Sequence, residues 1–388
     1  MNKKLLGMLT VATLALGACS TASNKATTNT ANTETVKLGA NFELSGAVAA
    51  YGTPMLDAMN LAVEETNASG GVLGKKIEVV KLDNKSDSTE SASVATKLAT
   101  EEQVVGIVGP ATTGDANAQT PVITKAKTPV VLPAATGDNV TVDHSGKVLD
   151  YVYRVAYSDS FQGKALAQFA NDTLNSKKVV LLKDSSSDYA KGLSESFQSA
   201  YTGEVVATES FASKETDFNA VLTKIKDTGL DTLVIAGYYE EAGLIIKQAR
   251  EMGITATILG GDGFASSKLT ELAGKENVNK VYYTNHFTTL STDEKVQKFL
   301  KAYKEKYGKE ADAFAALAYD AAGVLLKAIE KAGSTDRAKV TEALGQTKDY
   351  EGVTGKFSID DKHNTVKSTY VIELENGQEK GYTVVEPK

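Results

Sequence analysis

From residue 36 onward the chain alternates short apolar runs with helical patterns, and this alternation limits the possible folds more than any other feature. Residues 36–40 read as a strand. Met55, Ala58, Met59, Ala62 and Val63 then recur at i, i+3, i+4, i+7 and i+8, one face of a helix that Gly70 and Gly71 end. Residues 77–82 predict the next strand, 88–100 a helix, and 104–108 an apolar run of the kind buried in parallel sheets. Strands are expected at 129–132 and 151–155. A second series follows, with strands at 179–182, 205–208, 232–236, 258–259 and 281–283 and helices near 160–175, 189–201, 217–228 and 240–252. Two runs of βα units imply two parallel sheets, hence two α/β lobes. Beyond 284 the pattern is mostly helical, at 292–307, 311–332 and 336–344, before strands at 355–359 and 369–374.

At about 150 residues per domain, 388 residues are enough for two or three domains with their own cores. Met1, Asn2, Lys3 and Lys4 form a basic cap before an apolar run at 5–17, too short for a membrane span of about 20 residues. The run reads as a secretory signal. Its end, Leu16-Gly17-Ala18-Cys19, resembles the bacterial lipobox, in which the thiol receives a diacylglyceryl group and becomes the mature N-terminus. The other reading is an ordinary signal with a coincidental cysteine. On the lipobox reading residues 1–18 are the signal peptide and 19–35 a lipidated tether, polar and of low complexity, that holds the protein on an extracytoplasmic membrane surface.

Composition narrows the chemistry. Lys and Arg number 42 against 49 Asp and Glu, a net charge of −7, whereas nucleic-acid surfaces are usually strongly basic. One cysteine cannot form an internal disulfide, and His144, His286 and His363 share no metal-ligand spacing. Neither a metal nor a cofactor is expected. G-x-S-x-G, H-E-x-x-H and a Cys–His pair are all missing, so hydrolytic enzymes are disfavoured.

Ligands in open parallel sheets bind beyond the carboxyl ends of strands. The loop after 104–108 is Gly109-Pro110-Ala111-Thr112-Thr113-Gly114, running into a helix that begins near Asp115. A helix N-terminus offers unpaired N–H groups, and hydroxyls on Thr112 and Thr113 could complete a small anion site; alternatively Thr113 caps its own helix. Asp115 stands where a phosphate loop needs Lys, so a carboxylate fits better than a phosphate. Pro133-Ala134-Ala135-Thr136 has the same character, small side chains plus one hydroxyl. Asp262, set among Gly260, Gly261 and Gly263, is either a turn residue or a carboxylate for an ammonium group. Hydroxyls in one lobe and a carboxylate in the other could together grip a zwitterion.

These segments, with Leu44-Ser45-Gly46, Tyr51-Gly52, the stretch Asn67-Ala68-Ser69-Gly70-Gly71, Gly237-Tyr238, Gln248-Ala249-Arg250 and Tyr319-Asp320-Ala321, resemble the leucine/isoleucine/valine-binding proteins of branched-chain amino acid ABC transporters. The resemblance covers nearly all of 36–388. It implies the type I periplasmic-binding-protein fold: two Rossmann-like lobes with parallel-rich central sheets, joined by three hinge crossings. Lobe 1 would comprise 36–155 and 285–366, and lobe 2 would comprise 156–284 and 367–388, with crossings near Val155-Ala156, Thr284-Asn285 and Val366-Lys367. It implies a ligand-binding set of Tyr51, Ala111, Thr112, Thr113, Ala134, Ala135, Thr136, Tyr189, Tyr238, Asp262 and Phe314. In that set Thr113 and Thr136 hold the ligand carboxylate, while the Ala134 carbonyl, Thr136 and Asp262 hold its ammonium. Asp262 replaces the Glu of well-known relatives, and Ala111 and Thr112 replace a larger apolar residue and a cysteine. The expected ligand is L-leucine, L-isoleucine or L-valine, bound without chemistry by a monomer and passed to an ABC permease. Another small neutral amino acid, or a receptor that senses amino acids, is the alternative.

Overall fold

The structure is a computed structural model and describes residues 35–386. The signal segment, Cys19 and the tether up to residue 34 lie outside the described residues.

The first sheet is made of five parallel strands, β1 (Val36–Phe42), β2 (Ile77–Asp83), β3 (Gly106–Val108), β4 (Val130–Leu132) and β5 (Val152–Arg154), in the order β2-β1-β3-β4-β5. The three shortest, β3 to β5, are buried at every position, as expected of strands sandwiched between helices. The connecting helices are α1 (Ala49–Ala68), α2 (Ser88–Thr96) and α3 (Thr113–Ala126). The helix expected over 88–100 is α-helical only to Thr96 and continues as a π-helical turn over Lys97–Glu101.

The second series follows: α4 (Asp159–Asp172), β6 (Lys178–Asp184), α5 (Asp188–Ala200), β7 (Glu204–Phe211), α6 (Asn219–Lys226), β8 (Thr232–Ala236), α7 (Tyr239–Glu251), β9 (Thr257–Gly260), α8 (Ser267–Ala273) and β10 (Val281–Asn285). Then come α9 (Glu294–Tyr307), α10 (Ala313–Ala332), α11 (Arg337–Gly345), β11 (Tyr350–Gly352), β12 (Gly355–Ile359), β13 (Thr365–Val366), β14 (Thr369–Glu375) and β15 (Gln378–Val385). The second sheet has the order β15-β14-β10-β9-β8-β6-β7; it is parallel from β10 to β7, and β14 and β15 add antiparallel strands. Strands β11 to β13 form a small antiparallel sheet. Helix α10 packs along α1 and over β3 and β4, which returns the C-terminal third of the chain to the first sheet.

Local chemistry sets where these helices start. Asp87, Ser158, Ser187, Asp312 and Asp336 each accept a first-turn N–H at the start of α2, α4, α5, α10 and α11, each cap contributing about 1 kcal/mol. The chain passes between the two sheets three times. After β5 it runs through Val155, Ala156 and Tyr157 into α4. The second passage starts one residue later than the sequence suggests, because Asn285 is still paired with Tyr370 in the second sheet. The third lies between β13 and β14. Thr365 ties the first and third passages by donating its hydroxyl to the Val155 and Ala156 carbonyls at 3.0 and 2.9 Å. Thr369 ties the third to the second by donating to the Asn285 carbonyl at 3.0 Å.

Candidate functional site

Loops at the carboxyl ends of β3 and β4 face loops at the ends of β8 and β9, and between them lies a small cavity. Tyr51, Ala111, Thr112, Thr113, Ala134, Thr136 and Phe314 line it from elements around the first sheet. Tyr189, Tyr238, Asp262 and Gly263 line it from the second. Ten of the eleven residues expected from sequence therefore meet here. Ala135 does not: it packs behind the wall in an apolar cluster with Ala116, Ile123, Val130 and Leu132. Gly263 takes a place the sequence reading did not assign.

The hydroxyl wall is built with care for geometry. Gly109 has φ +105°, and a Cβ there would stand 2.1 Å from the Asn41 carbonyl oxygen, so only glycine admits this turn. Thr112, not Thr113, is the N-cap of α3, its hydroxyl accepting the Asp115 N–H at 3.3 Å. Thr113 is the first helical residue; its hydroxyl oxygen accepts the Gly137 N–H at 3.0 Å, which leaves the proton free to donate. Its own N–H belongs to the first turn, where no intrahelical acceptor exists. Thr113 thus carries two donors at one edge of the cavity.

Two buried charged side chains that the sequence reading missed hold this wall. Glu43, just beyond β1, accepts the Ala111 N–H at 3.1 Å and the Thr112 N–H at 3.1 Å. Burial raises its pKa well above the usual carboxyl value, and neighbouring Asp115 adds to the shift. Arg154, 1% exposed, donates to the Thr136 and Gly137 carbonyls at 2.8 Å each, to the Ala135 carbonyl at 3.4 Å and to Asn364 Oδ1 at 2.7 Å. Burial lowers its pKa to about 10.

Across the cavity, Asp262 begins a 3₁₀ turn after β9 and is 4% exposed. Its N–H donates to Gln162 Oε1 at 3.3 Å, and its Oδ2 lies 3.2 Å from His286 Nε2. Burial pushes the His286 pKa down to about 4, so the ring is neutral near pH 7. Asp159 is also buried; Oδ1 accepts from Gln162 Nε2 at 2.9 Å, while Oδ2 has no hydrogen-bond partner. Burial raises its pKa to about 8, with Asp262 adding and the Thr136 hydroxyl opposing. The pole around Asp262 is acidic and water-poor, a setting suited to a cationic group.

Aromatic rings supply the rest. Tyr51 stacks on Phe314 with centroids 4.0 Å apart, and Tyr189 stacks on Tyr238 at 5.1 Å. The Tyr51 hydroxyl donates to the Gly263 carbonyl at 2.5 Å, and Gly263 N–H donates to the Tyr189 hydroxyl at 3.1 Å. Tyr239 reaches the other way, its hydroxyl donating to the Ala47 carbonyl at 2.9 Å. The bonds of the Tyr51 and Tyr239 hydroxyls span the space between the two sheets and draw the two walls together. Burial keeps the Tyr51 and Tyr189 phenols protonated far above neutral pH.

A parallel-rich α/β fold with a site between its sheets defines a class of protein, and the sequence profile described as "Periplasmic binding protein" matches residues 35–379. The chain belongs to that family. Among curated relatives, the Leu/Ile/Val-binding protein homolog 3 of Brucella melitensis is 30% identical, over 83% of this chain and 86% of its own length. The leucine-, isoleucine-, valine-, threonine- and alanine-binding protein of Pseudomonas aeruginosa is 27% identical, over 85% and 87%. Among solved structures, the branched-chain amino acid transporter substrate-binding protein LivJ of Streptococcus pneumoniae, in complex with isoleucine, is 45% identical. It superposes with a TM-score of 0.87 over 91% of this chain and 100% of that one. The leucine-binding protein LivK of Thermotoga maritima is 36% identical with a TM-score of 0.84, over 91% and 99%.

Proposed function

We propose that this chain is the extracytoplasmic substrate-binding component of an ABC importer, capturing leucine, isoleucine or valine between its lobes and delivering it to a membrane permease. One observation carries the reading: a narrow cavity with hydroxyl and N–H donors at one edge, the Asp262 carboxylate at the other and aromatic rings between. The ligand carboxylate takes the Thr113 donors and Thr136. The ammonium takes Asp262, the Ala134 carbonyl and the Thr136 hydroxyl, with Asp159 as a further acidic neighbour. Tyr51, Tyr189, Tyr238, Phe314, Ala111 and Thr112 enclose the side chain. LivJ, with isoleucine bound, supports the ligand class.

Binding without chemistry requires opening and closing. We assign lobe 1 to 36–155 with 286–366 and lobe 2 to 156–285 with 367–388, hinged at the three passages; ligand contacts from both sides favour the closed state. A thermal-shift panel of the twenty amino acids on the form beginning at Ser20 is the test, since a ligand that binds the native state alone raises its melting temperature. Leucine, isoleucine or valine should give the largest rises. A panel without any rise would overturn the assignment.

The carboxylate contacts make a finer expectation. Thr113→Val removes the donor aimed into the cavity, whereas Thr112→Val removes only a helix cap, so calorimetry should find the larger loss of affinity for the former. The reverse order would move the carboxylate to Thr112. Lipidation of Cys19 is the membrane anchor in this reading. Cys19→Ala should shift the protein from the sedimenting membrane fraction to the supernatant, and an unchanged distribution would refute the anchor.

A further inference from the structure

We infer that His286 is a positioning residue for Asp262, holding one oxygen of that carboxylate so that the other is presented to the ligand ammonium. The inference rests on the amino-acid reading above. His286 is the first residue beyond β10 and is 1% exposed. Its Nε2 lies 3.2 Å from Asp262 Oδ2, while its Nδ1 is buried without a partner. A neutral imidazole carries one N–H. With the proton on Nδ1, a bare Nε2 lone pair would face the carboxylate and a buried donor would point at nothing. With the proton on Nε2, the ring donates to Asp262 and only a weak acceptor is left unpaired. The geometry therefore selects the Nε2–H tautomer.

The ring is itself immobilised. It stacks on Tyr157 with centroids 3.6 Å apart and planes 18° from parallel, and its main-chain N–H donates to Asn285 Oδ1 at 2.9 Å. Tyr157 lies in the first passage between the sheets and His286 in the second, so Asp262 is braced against the segments the lobes hinge on. The other end of Asp262 is fixed through its N–H by Gln162, which also accepts the Thr284 hydroxyl at 3.0 Å. The backbone of Asp262 is thus fixed on one side and its Oδ2 held by the ring on the other.

His286→Phe keeps an aromatic ring for Tyr157 and removes the donor. Isoleucine affinity should fall roughly 10- to 100-fold, the scale of a hydrogen bond to a charged group, with His286→Gln recovering part of it through its amide N–H. In an Asp262→Asn background the same His286→Phe change should cost nothing further, because the acceptor it serves is already altered. A wild-type protein that binds no branched-chain amino acid would defeat the functional reading itself. Normal wild-type binding with unchanged affinity in His286→Phe, or full additivity with Asp262→Asn, would overturn the positioning role alone. Should His286→Phe fail to fold, the wild-type imidazole ¹⁵N resonances decide. A neutral Nε2–H ring whose shifts move on adding isoleucine supports the role, and an Nδ1–H or unresponsive ring refutes it.

Discussion

Asp262→Asn is expected to weaken binding of the preferred branched-chain amino acid by about 2–5 kcal/mol, or on the order of 30- to 4,000-fold in Kd, measured by calorimetry. The size follows from burial. Asp262 is 4% exposed, so an ammonium docked beside it has exchanged water for this carboxylate, and removing the charge leaves the cation nearly without compensation. Asn keeps the shape and the main-chain bond to Gln162, so the unliganded fold should melt near the wild-type temperature. Unchanged affinity would remove Asp262 from the ammonium site and leave Asp159 as the acidic candidate.

Arg154→Leu is expected to destabilise the fold by about 3–5 kcal/mol in urea denaturation, since it removes a buried guanidinium whose bonds to main-chain carbonyls and Asn364 each contribute about 1.5–3 kcal/mol. The carbonyls are those of Ala135, Thr136 and Gly137, the segment that presents the second hydroxyl to the cavity and donates to Thr113. Ligand affinity should therefore fall together with stability. Arg154→Lys should rescue little, because a single ammonium cannot reach both Asn364 and these carbonyls in the fork geometry of a guanidinium. A loss below about 1 kcal/mol would mean that the loop holds its shape through the Thr113 hydroxyl and the Asp159 N–H without the guanidinium.

The parts of this fold that were legible in sequence are those governed by local burial. Strands β3, β4 and β8 are apolar at almost every position because helices cover both faces, and such runs stand out between glycines. Strand β15 was not legible: Gln378–Val385 sits at the sheet edge with most residues partly or fully exposed, so no apolar period marks it. Strand β11 is only three residues long, and α8 only seven. The loops at strand ends gave the polar part of the cavity wall, Thr112, Thr113, Thr136 and Asp262, whereas Tyr51, Tyr189 and Phe314 stand on helices and followed only from the family resemblance. Ala135 falls outside the wall because its methyl packs with Ala116 and Ile123 behind it. Glu43, Asp159, Arg154 and His286 were missed for a different reason. Each acts on a residue distant in sequence, Glu43 on Ala111 and His286 on Asp262, and no spacing rule encodes that proximity. An acidic residue directly after an apolar strand, as Glu43 is, was the one available signal.

The clasp between Tyr51 and Gly263 ends on a peptide carbonyl, which every amino acid possesses. Glycine is required at the acceptor, since a Cβ at position 263 would stand 2.7 Å from the Gly237 carbonyl oxygen. Tyr51 also lines the cavity, so one phenol both encloses the guest and fastens the two halves. Selectivity and latching are coupled through that ring, which confines evolutionary drift toward new guests to the other residues of the wall.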